Sequence, residues 1–177
     1  GDVPVLVAEN GLIVSGGTVI AEYIEETEPG GAMELLWGEA STRAEIRRLV
    51  QWFEVKFNRE VGGPLVSERV IKRFSGSGDI SSSVIRVALN NLKIHMAYID
   101  WLSEQSNWLA GKRLSLADLA AAAHLSVLDF LGDIDWGRHP EAKNWYAKMK
   151  SRPSFRDLLG DQVVGLVPPP HYCDMDF

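Results

Sequence analysis

Few residues in this chain have types and spacing that could do chemistry. His95, His124, His139 and His171 are its only histidines, and none stands at metal-ligand spacing from another histidine or from the single cysteine. No metal site is expected. His124 falls in an apolar stretch, where a satisfied core histidine is the simpler reading. Cys173 has no neighbouring base to lower its thiol pKa, so it is not read as a nucleophile. Trp52, Phe53 and Phe57 could line an apolar pocket, but helical core explains Phe53 and Phe57 better. The pair Ser115 and Asp118 is read as structural. Its spacing is that of a capping box, with the hydroxyl accepting from the Asp118 N–H and the carboxylate reaching back to the Ser115 N–H. Removing the Asp118 side chain should cost about 1–2 kcal/mol through those bonds.

The element behind that cap is the stretch Gly111–Leu131. Leu114 and Leu119 flank the cap as a hydrophobic staple. Four consecutive alanines, 120–123, then Leu125, Val127, Leu128 and Phe130 cover nearly the whole circumference, the pattern of a helix buried on most sides. The other elements must pack around it. Thr42 and Glu45 suggest a second capping box, opening a helix with Ile46, Leu49, Val50, Phe53 and Phe57 in step. Gly62-Gly63-Pro64 should break that helix, and Val66 to Phe74 resumes as basic helix or loop. Ser81 to Gln105 carries the stripe Ile85, Leu89, Leu92, Met96, Ile99 and Leu102. Pro140 suits the first turn of a helix to Lys150, and Ser154 to Leu159 reads as a short last one.

Ahead of these lies a small mixed unit. Val5–Val7 and Leu12–Val14 read as two short strands joined at Asn10-Gly11, a type I′ signal. A helix follows with Val19, Ile20, Tyr23 and Ile24 on one face, ending at Pro29-Gly30-Gly31. Leu35, Leu36 and Trp37 interrupt the linker that comes next and must pack somewhere. Two strands and a helix do not make a stable sheet alone. The unit therefore reads as the second half of an α/β domain, and Gly1 in place of Met suggests an N-terminal truncation.

Charge is uneven. Residues 1–40 hold eight acids and no Lys or Arg, residues 41–160 hold 18 bases against 13 acids, and residues 161–177 hold three acids and no Lys or Arg, for a net −6. No basic run points to nucleic acid. No apolar run approaches the ~20 residues of a membrane span. One cysteine fits a reducing, cytoplasmic setting.

The order of these motifs resembles the cytosolic glutathione transferase superfamily over nearly the whole chain. The carriers are Val3-Pro4 before the first strand, Ser15 after the second, Trp108-Leu109-Ala110-Gly111 followed by Ser115-Leu116-Ala117-Asp118, and Arg152-Pro153-Ser154-Phe155. The resemblance implies a mainly α protein. Its parts are a partial thioredoxin-like domain at 1–29, a linker at 30–41, an all-helical C-terminal domain at 42–160 and an extended tail at 161–177. It implies a homodimer when intact. About 50 further residues, comparable to a βαβ unit, would precede Gly1 and carry the thiol-activating Tyr, Ser or Cys. No catalytic residue is therefore expected in this chain, and by itself it should be inactive. A glutathione site would retain the Val3 backbone beside a cis Pro4, offering a strand-like edge, and Ser15 near a helix N-terminus for the γ-glutamyl carboxylate. Val14 departs from the family, which usually has Gln, Glu or Asp before this serine.

In the tail, Pro168-Pro169-Pro170 favours polyproline II, and His171, Tyr172, Met175 and Phe177 alternate with Asp174 and Asp176. Such a segment either packs across its own domain, with Tyr172 or Phe177 seated on the helices, or offers a linear motif to a partner. This segment resembles the C-terminus of glutathione-transferase-like division proteins of alphaproteobacteria that bind the tubulin-like filament protein FtsZ. The partner-binding residues would then be His171, Tyr172, Asp174, Asp176 and Phe177. Two functions follow from the resemblance: a binding module in cell division acting through FtsZ, placed first, and a glutathione transferase conjugating glutathione to an electrophile.

Overall fold

The structure is a computed structural model that describes residues 3–27 and 34–175. Strand β1 (Val5–Val7) pairs antiparallel with β2 (Ile13–Ser15), with Val5 opposite Ser15. The turn between them is not type I′. Only Gly11 has positive φ, at 82°, and Asn10 does not. The Gly11 N–H donates to the Ala8 carbonyl and the Ala8 N–H to the Leu12 carbonyl, both at 2.9 Å. These bonds describe a three-residue loop with a glycine bulge, and it moves the second strand one residue past the expected start. Helix α1 (Gly17–Thr27) follows. The expected stop at Pro29-Gly30-Gly31 lies outside the described residues.

The largest departure from expectation is the helix over residues 40–75, here α2. It starts at Ala40 behind Glu39, two residues before the Thr42 box could act. Glu45 instead makes two 2.7 Å bonds to the Arg48 guanidinium. It then runs without a break through Gly62-Gly63-Pro64. Two stretches, Trp52–Gly62 and Ser67–Ile71, are wound as π-helix. The Gly63 N–H reaches back five residues to the Asn58 carbonyl. A Cβ on Gly63 would stand 3.0 Å from that carbonyl oxygen, so the wide turn needs glycine here. Pro64, at the second position of the next turn, has no N–H to lose. The rod ends at Gly76, φ 63°.

Helix α3 (Ser82–Gln105) is capped by Ser81, whose hydroxyl accepts from the Val84 N–H. Its stripe is buried at Leu92, Met96, Ile99 and Leu102, with Ile85 and Leu89 packed at the margin. Helix α4 (Leu116–Phe130) is the central element, with Ser115 as N-cap and the capping box formed. Only Ala123 and Val127 on it are exposed. Helix α5 (Pro140–Lys150) brings Trp145 and Tyr146 into the core, and α6 (Pro153–Leu159) closes the bundle with Phe155. The architecture is mainly helical, with one two-stranded sheet among the described residues.

Asp118 is the hub of this packing. It is fully buried and accepts from the Ser115 N–H and hydroxyl at Oδ2, both at 2.9 Å, and at Oδ1 from the Leu109 N–H at 2.8 Å and the Trp145 indole at 2.9 Å. One carboxylate thus joins the loop before α4, the first turn of α4, and α5. Burial pushes its carboxyl pKa up, against these four donors. Leu35–Trp37 find their place beside the same loop. The Glu25 carboxylate accepts from the Leu35 and Leu36 N–H groups, the Leu35 carbonyl accepts from the Leu116 N–H, and the Trp37 indole donates to the Leu114 carbonyl.

Candidate functional site

The hairpin and the start of α1 form one candidate. Alternation in β1 turns Val5 and Val7 to solvent and half-buries Leu6. Val3 is 87% exposed, and the Val3–Pro4 peptide bond is cis. The Pro4 carbonyl accepts from the Gly16 N–H at 3.0 Å, which brings Ser15 and Gly16 alongside Pro4. Ser15 is exposed at the end of β2, and open space lies over Gly16 and Gly17 where α1 begins. Val3, Pro4 and Ser15 are therefore brought together at one accessible end. Behind them, α1 meets α2 and α4 across a cleft of about 230 Å³ lined by Thr18, Glu22, Arg47, Glu54, Leu119 and Ala123. Glu22 and Arg47 pair across it at 2.8 Å.

Of the aromatic residues weighed for a pocket, Phe53 and Phe57 are fully buried core. Trp52 is half-buried and donates its indole N–H to His95 Nδ1 at 3.1 Å. That leaves Nε2 of His95 to donate to Glu60 at 3.1 Å. Burial lowers the His95 pKa, and Glu60 opposes that shift. His124 lies 3.7 Å from Glu54, and His139 lies 2.6 Å from Asp100, whose other oxygen accepts from the Ala142 N–H in the first turn of α5. Among the described residues no group of His, Cys, Asp and Glu could hold a metal ion.

The tail is the second candidate. Pro169 has polyproline II angles, φ −62° and ψ 152°, and Pro170–Tyr172 then makes one 3₁₀ turn. Tyr172 is buried, edge-on to Phe130, and its hydroxyl donates to the Leu158 carbonyl at 3.1 Å. Burial first, then Asp129, pushes its phenol pKa up to about 12. His171 Nε2 donates to Asp129 Oδ1 at 3.0 Å, and the His171 carbonyl accepts from Lys150 Nζ at 2.8 Å. Asp129 also accepts from the Trp136 indole at 2.8 Å. Both Asp129 and Lys150 are fully buried. The seat of Tyr172 on the helical bundle is one of the two expected for the tail, whereas His171 and Tyr172, counted by resemblance among the partner-binding residues, turn their side chains to the bundle instead. Cys173, Asp174 and Met175 are exposed. Asp176 and Phe177 lie outside the described residues. Asp129, Trp136 and Lys150 carry the docking of the tail and had not been singled out. The sign in the sequence was Asp129, a charge near the end of a largely apolar helix.

Comparison with known proteins agrees with this geometry. The family model described as "Glutathione S-transferase, C-terminal domain" matches residues 86–153. FtsZ-localized protein A of Caulobacter vibrioides (strain NA1000 / CB15N) is 46% identical over 177 residues, covering 98% of this chain and 77% of that protein. A glutathione S-transferase structure from Rhodospirillum rubrum F11 superposes with a TM-score of 0.92 at 49% identity, covering 99% of this chain and 78% of that one. The structure of FzlA from C. crescentus superposes with a TM-score of 0.91 at 45% identity, covering 98% and 76%. Shared fold, helical-domain match and 46% identity over 98% of this chain together show that the chain belongs to the glutathione S-transferase superfamily, as a relative of FtsZ-localized protein A.

Proposed function

We propose that this chain is a glutathione-transferase-like binding module that acts in bacterial cell division through FtsZ. The observation that carries this reading is the seated tail. His171 and Tyr172 anchor it on the bundle, and Asp174 and Met175 are left facing solvent just beyond. The anchors do not meet the partner; they fix where the acidic end of the chain emerges, with Asp174, Asp176 and Phe177 as the contact. Holding that end in place lowers the ordering cost of binding. The similarity to a protein named for its localisation to FtsZ supplies the partner. The unit at 1–29, the linker at 30–41, the helical domain at 42–160 and the tail at 161–177 are the working parts, in a cytoplasmic protein. Co-sedimentation of the chain with FtsZ filaments tests the reading.

A homodimer belongs to the same proposal. Val87, Ile94 and Trp101, seven residues apart on α3, are 60%, 70% and 53% exposed in one stripe. Sedimentation velocity, with Ile94→Glu as the dissociating variant, checks it.

A second reading has its own observation. The outer edge of β1, with Val3, Pro4 and Ser15 together at an open helix start, is suited to pairing with the backbone of a glutathione-like peptide. Calorimetric titration with glutathione decides it, and assay with a generic electrophile tells binding from conjugation.

A further inference from the structure

His95 is 2% exposed, and both of its ring nitrogens are engaged. An indole N–H can only donate, so Nδ1, which faces Trp52 Nε1 at 3.1 Å, holds a lone pair and no proton. A carboxylate can only accept, so Nε2, 3.1 Å from Glu60 Oε2, carries the proton of the ring. The tautomer is thus fixed from both sides, and the ring in this arrangement is neutral. A second proton, at Nδ1, would set two N–H groups head to head across 3.1 Å. The bond to Glu60 would survive that step and become charge-assisted on both sides.

The charges that face the ring stand on α2. Lys56 and Arg59 both reach the Glu60 carboxylate, and Lys56 Nζ also lies 5.3 Å over the Trp52 ring. From α4, His124 packs on the Phe57 ring, which stands edge-on to His95, and lies 3.7 Å from Glu54. Burial disfavours the charged form of His95, Glu60 favours it and Lys56 opposes it, with a net fall in pKa. Trp52 is half-buried at the start of the π-wound stretch, so one side of it is open to solvent. Its ring centroid lies 4.8 Å from that of Tyr98, and Tyr98 in turn stacks at 6.0 Å on Trp101, which is 53% exposed on α3.

We propose that His95 is a protonation switch for Trp52: the indole is seated while Nδ1 is unprotonated, and a proton at Nδ1 turns it out toward solvent. The two states exclude each other because the proton and the indole compete for one lone pair. Acid therefore shifts the population toward the displaced indole. Tyr98 stands between Trp52 and Trp101, so the displacement removes support from under the exposed aromatic surface of α3. The switch is independent of the tail and of any partner that the tail engages.

The test follows the Trp52 indole N–H in proton–nitrogen correlation spectra of the full chain from about pH 8 to about pH 4, with Trp52→Phe identifying its signal. Glu60, with its pKa drawn down to about 2, stays ionised over this range. The expected result is one titration step with its midpoint below the ordinary histidine value. The signal should move toward that of a solvent-exposed indole and lose its protection from hydrogen exchange. His95→Gln offers an acceptor and a donor but takes up no proton, and should abolish the step. Glu60→Gln removes the charge that favours the imidazolium, and should move the midpoint lower. A flat Trp52 signal in the parent overturns the switch, as does a step that persists in a folded His95→Gln chain. If His95→Gln melts well below the parent, Glu60→Gln decides alone, and an unmoved midpoint overturns the switch.

Discussion

The Trp145 indole donates to Asp118 Oδ1 at 2.9 Å, so α5 is pinned to the carboxylate that caps α4. Four donors converge on that one buried side chain. Asp118→Ala therefore leaves several buried donors unpaired, more than the capping box alone implies. Urea unfolding should show a loss of about 3 kcal/mol, near the upper end for a single substitution.

Gly63→Ala tests the π-wound turn. In an ordinary helix interior this change stabilises by up to about 1 kcal/mol. Here the new methyl meets the Asn58 carbonyl oxygen at 3.0 Å, a backbone atom that cannot turn aside. The sign should reverse, with a loss of about 1–2 kcal/mol. A gain would show that the rod does not need this winding.

The acid limb of stability should carry a signature of Glu60. Hydrogen bonding from Lys56, then from His95, draws its pKa from 4.5 down to about 2. A carboxyl with a lowered folded pKa contributes stability above its unfolded pKa and loses it as pH falls through the folded value. Between pH 4.5 and about 2 the parent's melting temperature should therefore fall more steeply than that of Glu60→Gln. Parallel curves would refute the assignment.

The tail divides at Cys173. Tyr172 is 3% exposed and bonded to Leu158, so Tyr172→Ala should cost about 3 kcal/mol by analogy with other buried aromatics. The Asp174 side chain is exposed, so Asp174→Lys should lower the melting temperature far less than Tyr172→Ala does. Thermal melts of both variants check this contrast.

Patterns local to one helix were legible in the sequence. The Ser115–Asp118 box and the stripe from Leu92 to Leu102 need only spacing to be read, and both are in the structure. Features decided by competition between local signals were misread. Thr42 and Glu45 have box spacing, but the helix begins earlier and Arg48 takes the Glu45 carboxylate. Gly62-Gly63-Pro64 carries breaker residues, yet π-winding absorbs them. The tail was half legible. Its large residues announced a packing segment, but which body they face depends on Asp129 and Lys150, 42 and 21 residues before His171. No pattern within the tail encodes those distant partners.

The central claim is tested most directly by co-sedimentation with FtsZ filaments of the full chain beside a chain ending at Cys173. The shorter chain keeps the His171 and Tyr172 anchors, and its melting temperature should match the parent's. The account predicts that the full chain pellets with the filaments and the shorter chain stays in the supernatant. Equal pelleting of the two would contradict it.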